Sequence, residues 1–165
     1  MQSQHVFDQK SALYMAYFSL LGLVSLSAGI VDIIVSVSGA EYSAGILEIP
    51  NSGFRGVWGG LVMVFSGCFY LSGIRNSNEI HQFAKVVLGS ILLWIMAGTD
   101  IFAMITGSIP SEDADHWFNT SRSFVDAYAP PYTPAVIMLP FSLFVIFYIR
   151  KYRLHQSVSI HPATD

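Results

Sequence analysis

Two aspartates, Asp32 and Asp100, each stand alone in a long apolar stretch of this 165-residue chain. A charged side chain inside a bilayer costs about 2.5–3.5 kcal/mol near the centre and less toward the edge, so such acids turn inward and seek a partner. Both acids open the same short motif, Asp-Ile-x-x-x-[Val/Ile]-[Ser/Thr]-Gly, which runs from Asp32 to Gly39 and from Asp100 to Gly107. The repetition suggests a parallel two-plus-two duplication. At 1.5 Å per helical residue, both carboxyls then sit on the order of 8 Å inside one membrane boundary. As a pair they would share a proton or bind a cation, which makes Asp32 and Asp100 candidates for an ion or proton pathway. As separate groups, each would be a hydrogen-bonding anchor satisfied by Ser36, Thr99 or a tyrosine on another helix, or a neutral acid. No Lys or Arg falls inside an apolar stretch, which favours a proton or a bound cation over a salt bridge.

A second cluster follows in the segment 107–133, where Asp113, Asp115 and His116 form an acidic group with one imidazole. Such side chains suit a divalent cation, but their spacing matches no fixed coordination pattern, and a solvated acidic loop entering a short amphipathic helix accounts for them better. Asn119-Thr120-Ser121 is an N-glycosylation acceptor, meaningful only in a eukaryotic source. One cysteine, Cys68, excludes an internal disulfide and any multi-cysteine metal or redox motif. It lies within an apolar run that leaves it inert, palmitoylation aside. No cofactor is implied.

The elements that must position these groups follow from composition. Hydrophobic residues make up 53% of the chain and charged residues only 12%, about half the share usual in a soluble globule. A net charge of −3 offers no basic footprint for nucleic acid. The expected fold is an all-α, four-helix transmembrane bundle with spans 13–37, 57–74, 86–106 and 134–149. A 1–12 segment precedes it, an outer loop covers 107–133, and a tail covers 150–165. A helix crossing about 30 Å of hydrocarbon needs about 20 residues. The fourth span falls short, and Tyr148, Arg150, Lys151 and Tyr152 would anchor its end. Thr133 and Pro134 read as N-cap and first helical residue, and Pro140 as a kink. The first span is too long for a cleaved signal peptide and its positive flank too weak.

Loop charges set the orientation. With both termini inside, that side holds Lys10, Arg75, Lys85, Arg150, Lys151 and Arg153, against Arg55 and Arg122 outside. This satisfies the positive-inside rule with cytoplasmic ends. Helix contacts are marked by small residues. In the first span Gly22, Ser25, Gly29, Asp32, Ser36 and Gly39 recur at alternating steps of three and four, one heptad seam. In the third, Gly89, Leu93, Met96, Asp100, Ala103 and Gly107 follow the same steps. In the second, Gly56, Gly60 and Gly67 make one thin face, with Trp58 at the outer interface.

The run Val57-Trp58-Gly59-Gly60-Leu61-Val62-Met63-Val64-Phe65-Ser66-Gly67 resembles the second span of the membrane-spanning four-domain tetraspan family, which includes the B-lymphocyte antigen. A glycine-punctuated first span, the short inner loop from Arg75 to Lys85 and Asp100-Ile101 near the end of the third span are similar to that family's plan. The resemblance covers about Leu20 to Ile105. It implies a non-enzymatic protein that oligomerises and modulates receptors, trafficking or cation flux. The chain departs from many members in its short tails and in lacking paired outer-loop cysteines, which also separates it from tetraspanins and claudins.

The expected function is therefore that of a non-enzymatic multi-pass protein of the plasma or cytoplasmic membrane. It would serve as an oligomerising scaffold or accessory subunit, with the lipid bilayer and copies of itself or other membrane subunits as partners. The alternative is a small oligomeric cation or proton channel or transporter built on Asp32 and Asp100.

Overall fold

A computed structural model of the chain describes residues 2–50, 53–74, 80–109, 125 and 128–147, without the side chains of residues 2–12 and 80. The protein is mostly helical, as the apolar runs require. Helix α1 spans Gln2–Ser38, α2 Phe54–Gly73, α3 Ile80–Ser108 and α4 Pro134–Ser142. Within them, Leu13–Ser38, Phe54–Gly73 and His81–Ser108 are long and apolar enough to cross a membrane. These three stretches mark a membrane protein. The shorter α4 breaks at Leu143, three residues after Pro140, and its apolar helical course continues to Phe147.

All helices begin at or before the residues expected of them. The extension matters most at α2, which starts at Phe54 and so takes Arg55 into its first turn. Residues 2–12, expected as a separate segment, continue α1.

Small residues fix how the helices pack. Gly22 of α1 lies against Tyr70, Leu71 and the Gly67 carbonyl of α2, and Gly29 lies against the Gly60 carbonyl. A Cβ built on Gly29 would come within 2.6 Å of that oxygen, and one on Gly60 within 2.7 Å of the Gly29 oxygen. The two backbones therefore touch, as the seam predicted, and the pairing order makes α1 and α2 antiparallel. Ser25, fully buried, donates to the Met63 carbonyl at 2.9 Å within the same contact. On the other side of α2, Ser66 donates to the Gly89 carbonyl of α3 at 2.8 Å. Tyr70 lies stacked on Phe18 with ring centroids 5.8 Å apart. Its hydroxyl meets Ser90 Oγ at 2.8 Å, and because Ser90 donates to the Val86 carbonyl, the tyrosine is the donor there.

Helix α4 closes the arrangement. Trp94 Nε1 of α3 donates to Ser142 Oγ at 2.7 Å, and the Tyr17 hydroxyl of α1 donates to the Phe141 carbonyl at 2.7 Å. Every helix thus has at least one side-chain hydrogen bond to a neighbouring helix. Such bonds suit an environment where apolar burial alone gives little preference for protein over lipid.

Two residues of the seams, Gly39 and Ala103, do not pack. Gly39 is exposed and ends α1 in the left-handed conformation at φ 71°, so it terminates the helix rather than packing it. Ala103 is exposed, although Leu93, Asp100 and Gly107 of the same seam are buried, with Ala97 beside them. Ser36 is buried as expected, but its hydroxyl has no hydrogen-bond partner among the described residues.

Between α1 and α2 the chain forms a hairpin that helical periodicity does not announce. Strand β1 (Tyr42–Ala44) pairs antiparallel with β2 (Leu47–Ile49), and Gly45 takes φ 63° in the two-residue turn. A left-handed first turn residue matches the twist of a tight hairpin, which is why glycine stands there. On its other edge β2 meets Tyr132: Glu48 N donates to the Tyr132 carbonyl at 3.0 Å, and Tyr132 N to the Ile46 carbonyl at 2.7 Å. The hairpin and the entry to α4 thereby cover one end of the bundle, the end that holds both aspartates.

Candidate functional site: an ion pair beneath the hairpin

Asp100 reaches this end from the buried side of α3. Its Oδ1 accepts from Arg55 Nη2 at 2.7 Å, and its Oδ2 accepts from Thr133 Oγ1 at 2.6 Å. The Asp100 side chain is 11% exposed and that of Arg55 59% exposed. One carboxylate therefore ties together α2, α3 and the start of α4. The expectation of an acid without a basic partner is overturned. Arg55 sits in the first turn of α2, close enough to the hairpin end for its long side chain to reach inward while most of it stays exposed. Ser36 and Thr99, the anticipated partners, play no such part: Thr99 donates to the Met96 carbonyl of its own helix.

Thr133 holds the N-cap position that its sequence context predicts, with Pro134 at the first helical position. Its hydroxyl makes no capping bond, however, because it donates to Asp100 instead. A residue that reads as a local helix signal is used for a long-range contact.

Asp32 is brought to the same place. It lines a small cavity of about 50 Å³ together with Arg55, Gly59, Asp100 and Thr133. The two acids therefore border one cavity. They are not equivalent. Asp32 is half-buried and makes no side-chain hydrogen bond among the described residues, whereas Asp100 is buried and doubly bonded. Asp32 Oδ2 lies 3.6 Å from the point where a Cβ on Gly59 would stand, so the bare face of α2 makes room for this carboxylate. Gly56, on the same face of α2, also lines the cavity. A volume of 50 Å³ holds a very few water-sized groups, since one water needs about 10–15 Å³ by this measure.

The remaining sequence candidates contribute nothing here. Asp113, Asp115, His116 and Asn119 lie outside the described residues, as do Arg122 and the basic tail. No group of three or more metal-binding side chains occurs among the described residues. Cys68 is exposed on the side of α2, away from the cavity. Arg55 is the functional residue that spacing alone missed. The available signal was Gly53, a natural helix start that would have carried α2 back past residue 55. No family model, curated protein or solved structure matches this chain.

Proposed function

We propose that this chain is a non-enzymatic tetraspan membrane protein that acts as a scaffold or accessory subunit of a membrane complex. In this reading α4 belongs to a fourth crossing, and both termini are cytoplasmic. The observation that carries it is the use made of Asp100. Its carboxylate, the most buried charged group among the described side chains, is taken up by Arg55 and Thr133 and so joins helices rather than serving a substrate. Two further features support it. The cavity is too small for an organic substrate, and wide apolar faces remain open, with Ile95 at 56% and Phe102 at 66% exposure on α3. The likeness of the Trp58-Gly59-Gly60 run to the four-domain tetraspan family points the same way.

The small-residue seams do not serve association between chains in this reading. Gly22, Gly29, Gly60 and Gly67 are consumed within the bundle, so partners dock on the outer apolar faces. The test is the mass of the protein extracted in mild detergent from its own membrane. A complex of several chains is expected, and a lone monomer would contradict the proposal.

A second reading rests on Asp32. A carboxylate without a hydrogen-bond partner, beside an ion pair and at the bundle end, is what a proton or cation step would use. Reconstituted vesicles distinguish the two: the scaffold reading expects no proton or cation flux above protein-free vesicles. Flux that Asp32→Asn abolishes would favour transport.

A further inference from the structure

The helices α1 and α4 do not close on each other along their length. Between them runs an apolar trough in two connected sections, about 600 Å³ nearer the hairpin and about 240 Å³ farther from it, which share Val24, Ile137 and Met138. Its ends are defined. Tyr17 of α1, bonded to the Phe141 carbonyl of α4, bounds the far end, and Tyr42 and Leu47 of the hairpin bound the near end. From Tyr17 to Val31 the trough follows α1 for about 21 Å at 1.5 Å per residue. One leaflet's hydrocarbon is about 15 Å thick, half of a 30 Å core, so the trough is long enough to hold an acyl chain along its length. A partner helix, about 10–12 Å across with its side chains, does not lie down in a slot stopped at both ends.

The near end adjoins the polar cavity. Pro134 lines both, and Val31 on the trough precedes Asp32 on the cavity. Arg55 bonds Asp100 and stands in the same cavity as Asp32, whose carboxylate makes no hydrogen bond among the described residues. A head group placed there meets a free hydrogen-bond acceptor and, from two carboxylates and one guanidinium, a net charge of one negative. The 50 Å³ available admits an ammonium and little more. We propose that trough and cavity together form a binding site for a single-chain amphiphile with a primary ammonium head, the chain lying between α1 and α4 and the head against Asp32. This goes beyond the scaffold proposal and does not depend on it.

The test uses the full chain in phosphatidylcholine nanodiscs at pH 7, with hexadecylamine, hexadecanol and hexadecanoic acid as probes. Retention by the protein is read by native mass spectrometry against empty discs. The amine is expected to bind at least about tenfold more tightly than the acid, with the alcohol between. Asp32→Asn is expected to erase the preference for amine over alcohol while alcohol binding persists. Val24→Trp is expected to weaken all three. Equal binding of amine and acid, or a preference that survives Asp32→Asn, would overturn the proposal even if Val24→Trp fails to fold. So would efficient disulfide crosslinking of Val24→Cys between two copies in a Cys68→Ser background, which would put a second chain in the trough.

Discussion

Among single residues, the two aspartates share a motif and a depth yet do different work. Asp100 is a junction: one oxygen takes the guanidinium of Arg55 and the other the hydroxyl of Thr133. Asp32 borders the same cavity without such bonds. Their inward direction was legible from the seam of small residues, because a lone acid beside glycines and serines has one affordable side to face. Their partners were not legible. Arg55 lies outside the uncharged run that defines the second span, and Thr133 looks like an ordinary cap beside Pro134. Only the fold shows that helix α2 reaches back to Phe54 and that α4 starts next to α3. Two consequences follow. Thr133→Val is expected to lower stability by about 1 kcal/mol, the scale of one hydrogen bond to a charged group at a partly exposed site, while Thr133→Ser keeps most of it. Asp32→Asn is expected to change stability by less than about 0.5 kcal/mol, since no bond is lost. Thermal unfolding in mild detergent reads both, and a larger loss for Asp32→Asn than for Thr133→Val would contradict the assignment.

Among the elements, α2 is the central post: α1 closes on one side of it and α3 on the other. The contact with α1 is nearly backbone to backbone, with Gly29 and Gly60 each leaving no room for a Cβ. Either Gly29→Ala or Gly60→Ala is therefore expected to cost about 1–3 kcal/mol by overpacking. Gly98 on α3 meets nothing within 4 Å, and Gly98→Ala is expected to raise stability by up to about 1 kcal/mol through helix propensity. Unfolding midpoints that moved alike in all three variants would show that space at the seam is not what selects glycine. This part of the fold was the most legible, because a step of three and four between small residues maps directly onto a helix face. On the third helix the seam holds at Gly89, Leu93, Asp100 and Gly107 and slips between them: Ala97 is fully buried, whereas Met96 is only partly so and Ala103 is exposed. A heptad count cannot place a seam when large residues such as Ile91 and Phe102 flank both candidate faces. The hairpin was invisible to periodicity, since three-residue strands carry too few side chains to alternate.

For the whole molecule, four helices packed in alternating directions put the hairpin, both aspartates and Arg55 at one end. The orientation proposed from the loop charges puts that end outside. In a Cys68→Ser background, Ser43→Cys on the hairpin is expected to react with a membrane-impermeant maleimide on intact cells, and His81→Cys at the start of α3 only after lysis. The reverse pattern would invert the orientation. What joins the three scales is the Arg55–Asp100 pair, which with Thr133 ties α2, α3 and the start of α4 together. A double-mutant cycle on Arg55→Met and Asp100→Leu, read as global unfolding in mild detergent, tests it most directly. Arg55→Met strands the buried Asp100 carboxylate and is expected to destabilise the bundle most, whereas Asp100→Leu leaves a largely exposed guanidinium and is expected to cost less. The double change is expected to recover part of the loss, with a coupling of about 0.5–1 kcal/mol. Single losses that simply add in the double variant would show that the two residues do not hold the bundle together.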